Sequence, residues 1–366
     1  MHVQGELFLY DPETKNTTNL LAESSMHHHK LALLGFGNVG QALAKLLISK
    51  QAELKSRYGL TFSFTGIGTG RHGAALNPAG LDIEQAFALV KNGESLDQIS
   101  LQEPPVGGAD FVNRCEADVL FENTPVNYET GQPAVNHLKL ALEKGMHAIT
   151  ANKGPVVHAY RQLSDLANAQ QRKFFFESTV MDGAPIFSLF RTSLPGANLN
   201  SFKGILNSTT NLVLGRMESG ESFEAAVAYA QEIGIAETDP SGDVDGWDAA
   251  VKVAALVTVL MGVPLKPSAV RRRGIRHIQP REIQQATDNG LRWKLVCSAV
   301  RENDQVSASV APQMVSADSP LYQVDGTTSI VQFETDVLGS LSIIESDPGP
   351  HTTANGLLAD FLNSVS

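Results

Sequence analysis

Five carboxylates and a terminal lysine occur in the seventeen residues from Ala236 to Lys252, which read AETDPSGDVDGWDAAVK. The acidic side chains are those of Glu237, Asp239, Asp243, Asp245 and Asp248. Such a cluster can bind a calcium ion, form a solvated turn or hold a polar substrate. Because Asp248 and Lys252 are four residues apart, a helix would place both on one face, next to the loop that carries the other acids.

A calcium loop of the EF-hand type is the first interpretation to test. Its early ligand positions would be filled by Ser241, Asp243, Asp245 and Gly246. The twelfth position requires a bidentate glutamate, and here it is Lys252, whose charge repels the ion. Pro240 also disfavours a helix leading into the loop. The solvated turn and the substrate site therefore stay open as alternatives.

A glycine-rich turn supplies a second element of chemistry. The stretch KLALLGFGNVGQALAKLLISK predicts a strand, a turn and a helix with one apolar face, and the turn has the pattern G-x-G-x-x-G. It consists of Gly35, Phe36, Gly37, Asn38, Val39 and Gly40. The glycines permit the tight turn, the approach of the backbone to a pyrophosphate and close helix–strand packing, while the helix N-terminus attracts phosphate. The turn therefore predicts binding of a dinucleotide.

The end of the second predicted strand indicates which dinucleotide is preferred. NAD is usually held here by an Asp or Glu that binds the ribose 2′-hydroxyl. The sequence GIGTGRHG instead offers Thr69 and Arg71 and no acid. A hydroxyl and a guanidinium suit a 2′-phosphate, so we expect NADP to be preferred and NAD to be tolerated. The alternative, in which Arg71 only faces solvent, stays open.

The order of the predicted elements defines the fold class as α/β. Between residues 30 and 176 strands alternate with helices, which is typical of parallel βαβ units in a doubly wound, Rossmann-type sheet. After about Val180 the elements are grouped by type, which indicates an α+β second domain. Helices are predicted at 158–171, 209–218, 222–233, 245–262 and 351–364, and strands at 201–207, 291–300, 304–314, 328–335 and 338–345.

Composition argues against several classes of partner. The chain has 366 residues, 42% of them apolar, and its formal charge of −11 disfavours nucleic acid or an anionic membrane as a partner. No apolar run reaches the roughly 18 residues of a membrane span. Two cysteines, Cys115 and Cys297, are too few for a disulfide framework and indicate a reducing, cytoplasmic location. Residues 1–26 lack the pattern of a signal peptide, and Met26 is an alternative start.

Several blocks of the sequence, taken together, resemble the homoserine dehydrogenase family. They are GFGNVG, TANKGP at 150–155, ESTVMDGAP at 177–185, FKGILNSTTNLVLGRMESG and AQEIGIAETDPSGDVDGWDAAVK. Their order and spacing agree with that family over residues 30–345. The resemblance implies NAD(P)-dependent interconversion of L-homoserine and L-aspartate 4-semialdehyde, a step of threonine and methionine biosynthesis, in a cytoplasmic homodimer.

The resemblance also assigns the catalytic and substrate-binding residues. It implies that Lys252 is the acid–base, that Asp248 orients the reacting oxygen, and that Lys153 lies between nicotinamide and substrate. The substrate would be held by Glu237, Asp243, Thr209 and Asn207. A protonated lysine suits reduction, in which it donates a proton to the nascent alkoxide, so oxidation is expected to need alkaline pH.

Further cofactor contacts and an ion site are implied in the same way. Around NADP, the glycine turn, Thr69 and Arg71 would be joined by Thr124, Pro125 and Lys153. The resemblance implies a bound Na⁺ or K⁺ ion, held mostly by carbonyl oxygens. Its site would be formed by Glu177, Val180, Asp182 and Ala184.

These assignments divide the chain into four segments. They are an extension at 1–26, a nucleotide-binding domain at 27–157, a catalytic and dimerisation domain at 158–325, and a segment at 326–366 that returns to the nucleotide-binding domain. The chain stops at Ser366, so we expect neither a threonine-binding regulatory domain nor an aspartate kinase portion.

Two departures from the family pattern keep alternatives open. Ser208 stands where the family has the glycine of NGTTN, and SDPGPHTTANG at 346–356 stands where the family has a glycine-rich block. One alternative is a related NAD(P) oxidoreductase with another amino acid-like substrate. The other is a non-catalytic NAD(P)-binding sensor, against which the joint presence of Lys153, Asp248 and Lys252 argues.

Overall fold

Two six-stranded sheets organise the computed structural model, which describes residues 26–303 and 305–366. The first sheet contains β1 (His27–Leu34), β2 (Leu60–Gly68), β3 (Ala74–Leu76), β4 (Val119–Glu122), β5 (His147–Thr150) and β6 (Phe174–Phe175). Their order in space is β3-β2-β1-β4-β5-β6, and every neighbouring pair is parallel except β2 and β3. The predicted doubly wound sheet is confirmed. The N-terminal extension at residues 1–25 lies outside the described residues.

Helices cover both faces of this sheet. They are α1 (Asn38–Ser49), α2 (Gln51–Tyr58), α3 (Ile83–Lys91), α4 (Gly107–Arg114), α5 (Ala134–Glu143) and α6 (Lys153–Ala169). The side chains of β1, with Leu31 and Leu33 fully buried, form the centre of the core. The strand order reverses between β1 and β4, and dinucleotides bind in the crevice outside the carboxyl ends of strands at such a switch point.

Helix α6 begins five residues before the predicted helix at 158–171. Its N-cap is Asn152, whose side-chain oxygen accepts a hydrogen bond from the Gly154 N–H at 2.9 Å. Pro155 is compatible with this first turn, because the N–H that proline lacks needs no partner there. A kink at Ala159, with φ −142°, separates the first turns from the part that the sequence predicts. The extra turns bring Lys153 to the start of the helix.

The second sheet is mixed, and the chain after β6 also forms the remaining helices. Its strands are β7 (Leu199–Ile205), β8 (Arg271–Arg272), β9 (Arg292–Glu302), β10 (Gln305–Val315), β11 (Ser329–Thr335) and β12 (Gly339–Glu345), in the order β12-β11-β7-β9-β10-β8. The helices are α7 (Ser208–Glu218), α8 (Phe223–Glu232), α9 (Ser241–Val244), α10 (Trp247–Leu260), α11 (Pro280–Asp288) and α12 (Pro350–Val365).

The C-terminal helix α12 returns to the first sheet. Its residues Leu357 and Phe361 are buried in the same apolar cluster as Leu31 of β1, and α12 packs on α1. Strands β11 and β12 instead belong to the second sheet, where β11 pairs with β7 on one side and with β12 on the other. The return to the nucleotide-binding domain is therefore made by residues 350–365, and the strands between 329 and 345 belong with the catalytic domain.

Helix α10 lies between the two sheets and is apolar along most of its length. It packs against β9 and β10 on one side and against α6 on the other. Its first turns carry Asp248 and Lys252, which therefore lie where the two domains meet. Within residues 26–303 and 305–366, no helix is both long and apolar enough to cross a membrane.

Candidate active site

The carboxylate of Asp248 is shared by two lysines from different domains. Lys252 Nζ lies 3.3 Å from Oδ2, and Lys153 Nζ lies 3.3 Å from Oδ1. Asn207 Nδ2 also donates to Oδ2 at 3.1 Å. Burial opposes ionisation of Asp248, but the charges of Lys252 and Lys153 outweigh burial and hold its pKa well below the ordinary value. Asp248 is therefore an anion at any pH at which the protein works.

Lys252 is fixed one helical turn after Asp248. Its Nζ donates to the main-chain oxygen of Leu206 at 2.6 Å, at the end of the loop that joins β7 to α7. An ammonium has three N–H groups, and the Asp248 carboxylate and the Leu206 carbonyl engage two of them. One N–H, or the lone pair of the neutral amine, is left for a substrate.

Lys153 is fixed by the loop that follows β4. Asn152, the residue before it, donates through Nδ2 to the main-chain oxygens of Thr124 at 3.0 Å and Pro125 at 3.4 Å. The Thr124 hydroxyl in turn donates to the buried carboxylate of Glu122. These bonds place the lysine beside the carboxyl end of β4, next to the dinucleotide crevice.

Asp243 is the second carboxylate of the site, and it is half-buried. Its Oδ1 accepts a hydrogen bond from Asn207 Nδ2 at 2.7 Å, and its Oδ2 accepts one from the Thr209 hydroxyl at 3.1 Å. Burial, together with the nearby charge of Asp248, raises the pKa of Asp243 above the ordinary value. Asn207 also caps α7 through Oδ1, which accepts from the Thr210 N–H at 2.9 Å.

A cavity of about 1040 Å³ joins these groups. Both domains contribute to its wall, which includes Tyr128, Lys153, His158, Asn207, Ser208, Thr209, Glu237, Asp243, Trp247, Asp248 and Lys252. Glu237 is exposed to the cavity, and in the described part of the chain its carboxylate has no hydrogen bond or ion pair. All of the residues predicted to act on the substrate therefore line one cavity.

The remaining acids of the 236–252 segment stabilise its turn. Asp239 accepts a hydrogen bond from the Ser241 N–H at 3.0 Å, and Asp245 forms an ion pair with Arg276 at 2.6 Å. Arg272 donates to the Asp245 carbonyl and lies 3.7 Å above the ring of Trp247. Across the described residues, no three His, Cys, Asp or Glu side chains are grouped to hold a metal ion. The segment is therefore both a turn and a set of cavity carboxylates.

The glycine turn has the shape that a pyrophosphate requires. Gly35 has φ +100°, and a Cβ there would lie 2.4 Å from the main chain of Asn123. A Cβ on Gly40 would lie 2.3 Å from the Gly35 carbonyl oxygen, whereas one on Gly37 would face open space. Helix α1 starts at Asn38 without a side-chain cap or an acid in its first turn, so its N–H groups can bind an anion.

Phe36, between the first two glycines, borders the crevice only with its main chain. Its side chain is 2% exposed and stacks on Phe87 at a centroid distance of 5.4 Å.

The two residues predicted to select the cofactor have different environments. The Thr69 hydroxyl donates to the Gly73 carbonyl at 3.1 Å and accepts from the His72 N–H at 2.6 Å, so it stabilises the turn after β2. Arg71 is exposed, and in residues 26–303 and 305–366 nothing pairs with its guanidinium. Arg71 can therefore reach a phosphate, while Thr69 shapes the turn that carries it.

The predicted ion site is built differently from a carboxylate site. Both carboxylate oxygens of Glu177 accept main-chain N–H groups, from Phe187 at 2.6 Å and Ser188 at 2.7 Å, and burial raises the pKa of Glu177. The carbonyl oxygens of Val180 and Asp182 accept no hydrogen bond within the described residues. These carbonyls suit a monovalent cation, whereas the Glu177 side chain only closes the loop around them.

Tyr128 and Asn152 are site residues that the sequence analysis missed. Tyr128 lines the cavity from the loop after β4, and Asn152 holds that loop against Lys153. A signal for both existed, because ligands in a doubly wound sheet bind at the loops that follow the carboxyl ends of the strands.

Comparisons with known proteins agree with this geometry. Residues 35–177 match the NAD-binding domain family of homoserine dehydrogenase, and residues 185–362 match the homoserine dehydrogenase family. The chain is 36% identical over 344 residues to the NAD(+)-dependent homoserine dehydrogenase of Pseudomonas canavaninivorans, covering 92% of this chain and 96% of that protein. It is 34% identical over 334 residues to the homoserine dehydrogenase of Methanocaldococcus jannaschii, covering 91% and 97% of the two chains.

Solved structures give the same result. A homoserine dehydrogenase from Thiobacillus denitrificans superposes with a TM-score of 0.79 at 26% identity, over 93% of this chain and 74% of that one. A hyperthermophilic archaeal homoserine dehydrogenase in complex with NADPH superposes with a TM-score of 0.78 at 28% identity, over 93% and 98% of the two chains.

Replacing Asp243 by asparagine should stabilise the protein and weaken substrate binding. The raised pKa means that an ionised Asp243 lowers the stability of the folded state as pH rises through that pKa, and a neutral amide removes this effect. The amide fits, because its oxygen can accept from Asn207 while its NH₂ donates to Thr209, whose hydroxyl can donate to the Ile235 carbonyl. We expect Asp243→Asn to unfold at a higher temperature than the parent at pH 8.

The control for this prediction is the same comparison at pH 4, where the difference in unfolding temperature should shrink. The KM for the substrate should rise at least tenfold at pH 8, since a charge-assisted hydrogen bond contributes about 1.5–3 kcal/mol. A variant that unfolds at a lower temperature than the parent at pH 8 would contradict the argument.

Proposed function

Because the chain belongs to the homoserine dehydrogenase family, we propose that it interconverts L-homoserine and L-aspartate 4-semialdehyde with Lys252 as the acid–base. The observation that carries this proposal is the Asp248 carboxylate, held between Lys252 and Lys153 at 3.3 Å from each. An alcohol oxidation needs a group that takes the hydroxyl proton while hydride leaves the same carbon. The arrangement provides that group beside the crevice for the dinucleotide.

The proton is handled at Lys252 Nζ. In oxidation the neutral amine takes the proton of the substrate hydroxyl, and in reduction the ammonium returns it to the alkoxide oxygen. The nicotinamide, when bound, accepts or supplies the hydride. Asp248 keeps the Nζ in place, and Lys153 on its other oxygen adds a positive charge on the side of the developing alkoxide.

The amino acid part of the substrate is held by carboxylates. We assign its ammonium to Asp243 and Glu237, two cavity acids that form no ion pair with a lysine in the described part of the chain. Asn207 and Thr209 fix the Asp243 carboxylate through hydrogen bonds of 2.7 and 3.1 Å. Placing the ammonium there leaves the C4 hydroxyl free to approach Lys252.

The cofactor is NADP in this proposal, with NAD tolerated. The crevice residues fit a dinucleotide, since Gly37 faces open space and the N-terminus of α1 has no competing acid. An unpaired Arg71 after β2 supports NADP. Among the relatives, one is NAD(+)-dependent and one is in complex with NADPH, so the family uses both.

A monovalent cation would be held near the start of α12. The carbonyl oxygens of Val180 and Asp182 are available to Na⁺ or K⁺, while the Ala184 carbonyl accepts the Ile186 N–H at 2.8 Å. In this proposal the ion orders the loop that follows β6. Its charge contributes no step of the reaction.

A homodimer would form through the outer face of the second sheet. Ser298 and Val300 point away from the core. Val300 lies opposite Ser201 on β7 and Ser307 on β10, and Ser298 lies opposite Lys203 and Ser309 on the same two strands. Val300 is 42% exposed although it is apolar and lies in the middle of the sheet. The small side chains around Val300 let two such faces pack there at the usual sheet-to-sheet distance of about 10 Å.

A reducing, cytoplasmic location is the last part of the proposal. Cys115 and Cys297 are free thiols in the core. Burial raises the pKa of Cys115 to about 11 and that of Cys297 to about 12. Such thiols stay protonated and unreactive, as expected for a protein kept in reducing surroundings.

The reaction is tested by NADP⁺ reduction with L-homoserine at about pH 9, in the parent and in Lys252→Ala. Loss of a positioned base should lower kcat by about 10²–10⁴-fold, and the parental rate of oxidation should rise with pH. Lys139→Ala, on the exposed face of α5, is the matched control and should keep full activity. A parent that binds NADPH without turnover would sink the proposed reaction, and a fully active Lys252→Ala would sink the assignment of the base.

Arg71→Ala tests the cofactor preference. If the guanidinium binds the 2′-phosphate, KM for NADP⁺ should rise about tenfold or more, while KM for NAD⁺ stays within twofold. Arg161→Ala, an exposed arginine on α6, controls for the loss of a positive charge. Equal changes for the two cofactors would show that Arg71 only faces solvent.

Val300→Asp tests the proposed dimer interface. A charge in the middle of the packed faces cannot be solvated there, so the variant should sediment as a monomer at micromolar concentration. Val337→Asp is the control, because Val337 is 73% exposed in the turn between β11 and β12, away from the sheet face. A parent that already sediments as a monomer, or a dimeric Val300→Asp, would contradict the interface.

A further inference from the structure

The side chains that contact Asp243 and Asp248 offer no free hydrogen-bond donor to the carboxylate of a zwitterionic substrate. An amino acid brings a carboxylate as well as an ammonium, and a buried carboxylate must be paired or hydrogen-bonded. The side-chain donors around the two carboxylates are already engaged. Asn207 Nδ2 donates to both Asp243 and Asp248, and the Thr209 hydroxyl lies within hydrogen-bond distance of Asp243 and the Ile235 carbonyl. Lys252 is held by Asp248 and the Leu206 carbonyl, and its remaining N–H faces the reacting hydroxyl.

Tyr128 offers a donor from the opposite domain. It lines the same cavity as Asp243, Asp248 and Lys252, and its hydroxyl makes no hydrogen bond with any described residue. Burial, followed by the charges of Asp248 and Asp243, raises the pKa of the Tyr128 phenol above the ordinary value. The hydroxyl therefore stays protonated, and able to donate, through the alkaline range in which the enzyme would oxidise its substrate.

The loop that carries Tyr128 is held rigidly. Asn127 Oδ1 accepts the N–H groups of Glu129 at 3.0 Å and Thr130 at 2.9 Å, and His158 Nε2 donates to the Tyr128 carbonyl at 2.9 Å. A Cβ on Gly131 would lie 2.9 Å from the main chain of the first turn of α6, so the loop packs directly beside Lys153. The main chain that carries the phenol is thus positioned before any ligand arrives, which lowers the entropy cost of ordering the loop.

We propose that Tyr128 determines substrate specificity by donating a hydrogen bond from its hydroxyl to the α-carboxylate of the amino acid substrate. The assignment rests on the proposed function and adds to it the group that recognises the carboxylate. Tyr128 is part of the cavity wall that the nucleotide-binding domain contributes. Tyr128 therefore acts in binding, and proton transfer stays with Lys252.

Ser208 is a rival donor from the catalytic domain. It begins α7, lines the cavity, and its hydroxyl also makes no hydrogen bond in the described part of the chain. Ser208→Ala therefore belongs in the experiment beside Tyr128→Phe. Tyr58→Phe is the matched control, because Tyr58 lies on α2, 46% exposed and outside the cavity.

Steady-state oxidation of L-homoserine gives the first readout. Tyr128→Phe should raise KM about tenfold or more and leave kcat within twofold, because the hydrogen bond is present in the ground state and the transition state alike. The Kd for NADPH, measured by fluorescence, should not change. An unchanged KM in Tyr128→Phe, or a rise in KM for Ser208→Ala instead, would overturn the assignment.

Two inhibitors identify the group that Tyr128 contacts. 4-Hydroxybutanoate keeps the carboxylate of homoserine and lacks its ammonium, while 3-aminopropan-1-ol keeps the ammonium and lacks the carboxylate. As competitive inhibitors of homoserine oxidation, the first should bind about tenfold more weakly to Tyr128→Phe than to the parent, and the second equally well. Equal weakening of both would overturn the carboxylate contact.

The failures of the two proposals can be told apart. A parent that does not turn over homoserine would overturn the proposed function. A parent that turns it over, with Tyr128→Phe unchanged in KM and in inhibitor affinity, would overturn only the role of Tyr128.

Discussion

A single buried anion sets the geometry of the whole site. Leaving the Asp248 carboxylate unpaired in the interior would cost several kcal/mol, so the fold must bring cations to it. One cation, Lys252, comes from the next turn of the same helix, and the other, Lys153, comes from the first helical turn after β5 in the other domain. The pairing of Asp248 therefore ties the two domains together in the arrangement that places the substrate cavity beside the dinucleotide crevice.

Within the described residues, the Asp243 carboxylate has no cationic partner at ion-pair distance until a substrate binds. Among the residues assigned to substrate binding and catalysis, Asp243, Asp248 and Glu237 bring three negative charges, and Lys153 and Lys252 bring two positive ones. The excess falls on Asp243, whose pKa is raised by burial and by Asp248. A ligand ammonium restores neutrality at that point, which favours amino acids over simple alcohols. The two lysines stay with Asp248 and remain available for the chemistry.

Local sequence patterns predicted the elements with strong periodicity. They did not predict a helix start that depends on capping, or a sheet assignment that depends on strand pairing. The glycine turn, the alternating strands and the apolar helix with Asp248 and Lys252 were evident from spacing. The start of α6 was missed, because Asn152 reads as a loop residue until its hydrogen bonds to Gly154 and to the Thr124 carbonyl are seen. The sheet to which β11 and β12 belong was missed too, because the sequence of a strand does not indicate which other strand it pairs with.

The acidic segment orients its two cavity carboxylates in a way that no local sequence pattern predicts. Asp243 and Asp248 must face one cavity, although a five-residue offset on a single helix would turn them apart. The chain therefore breaks between α9 and α10 at Gly246, with φ +79°, and that break is held by Arg276 on Asp245 and by Arg272 on its carbonyl. The charged residues around Asp245, which do not contact the substrate, therefore hold Asp243 and Asp248 in position. Since the lysine-paired Asp248 would serve any alcohol, selectivity has to come from this turn and from the loop after β4.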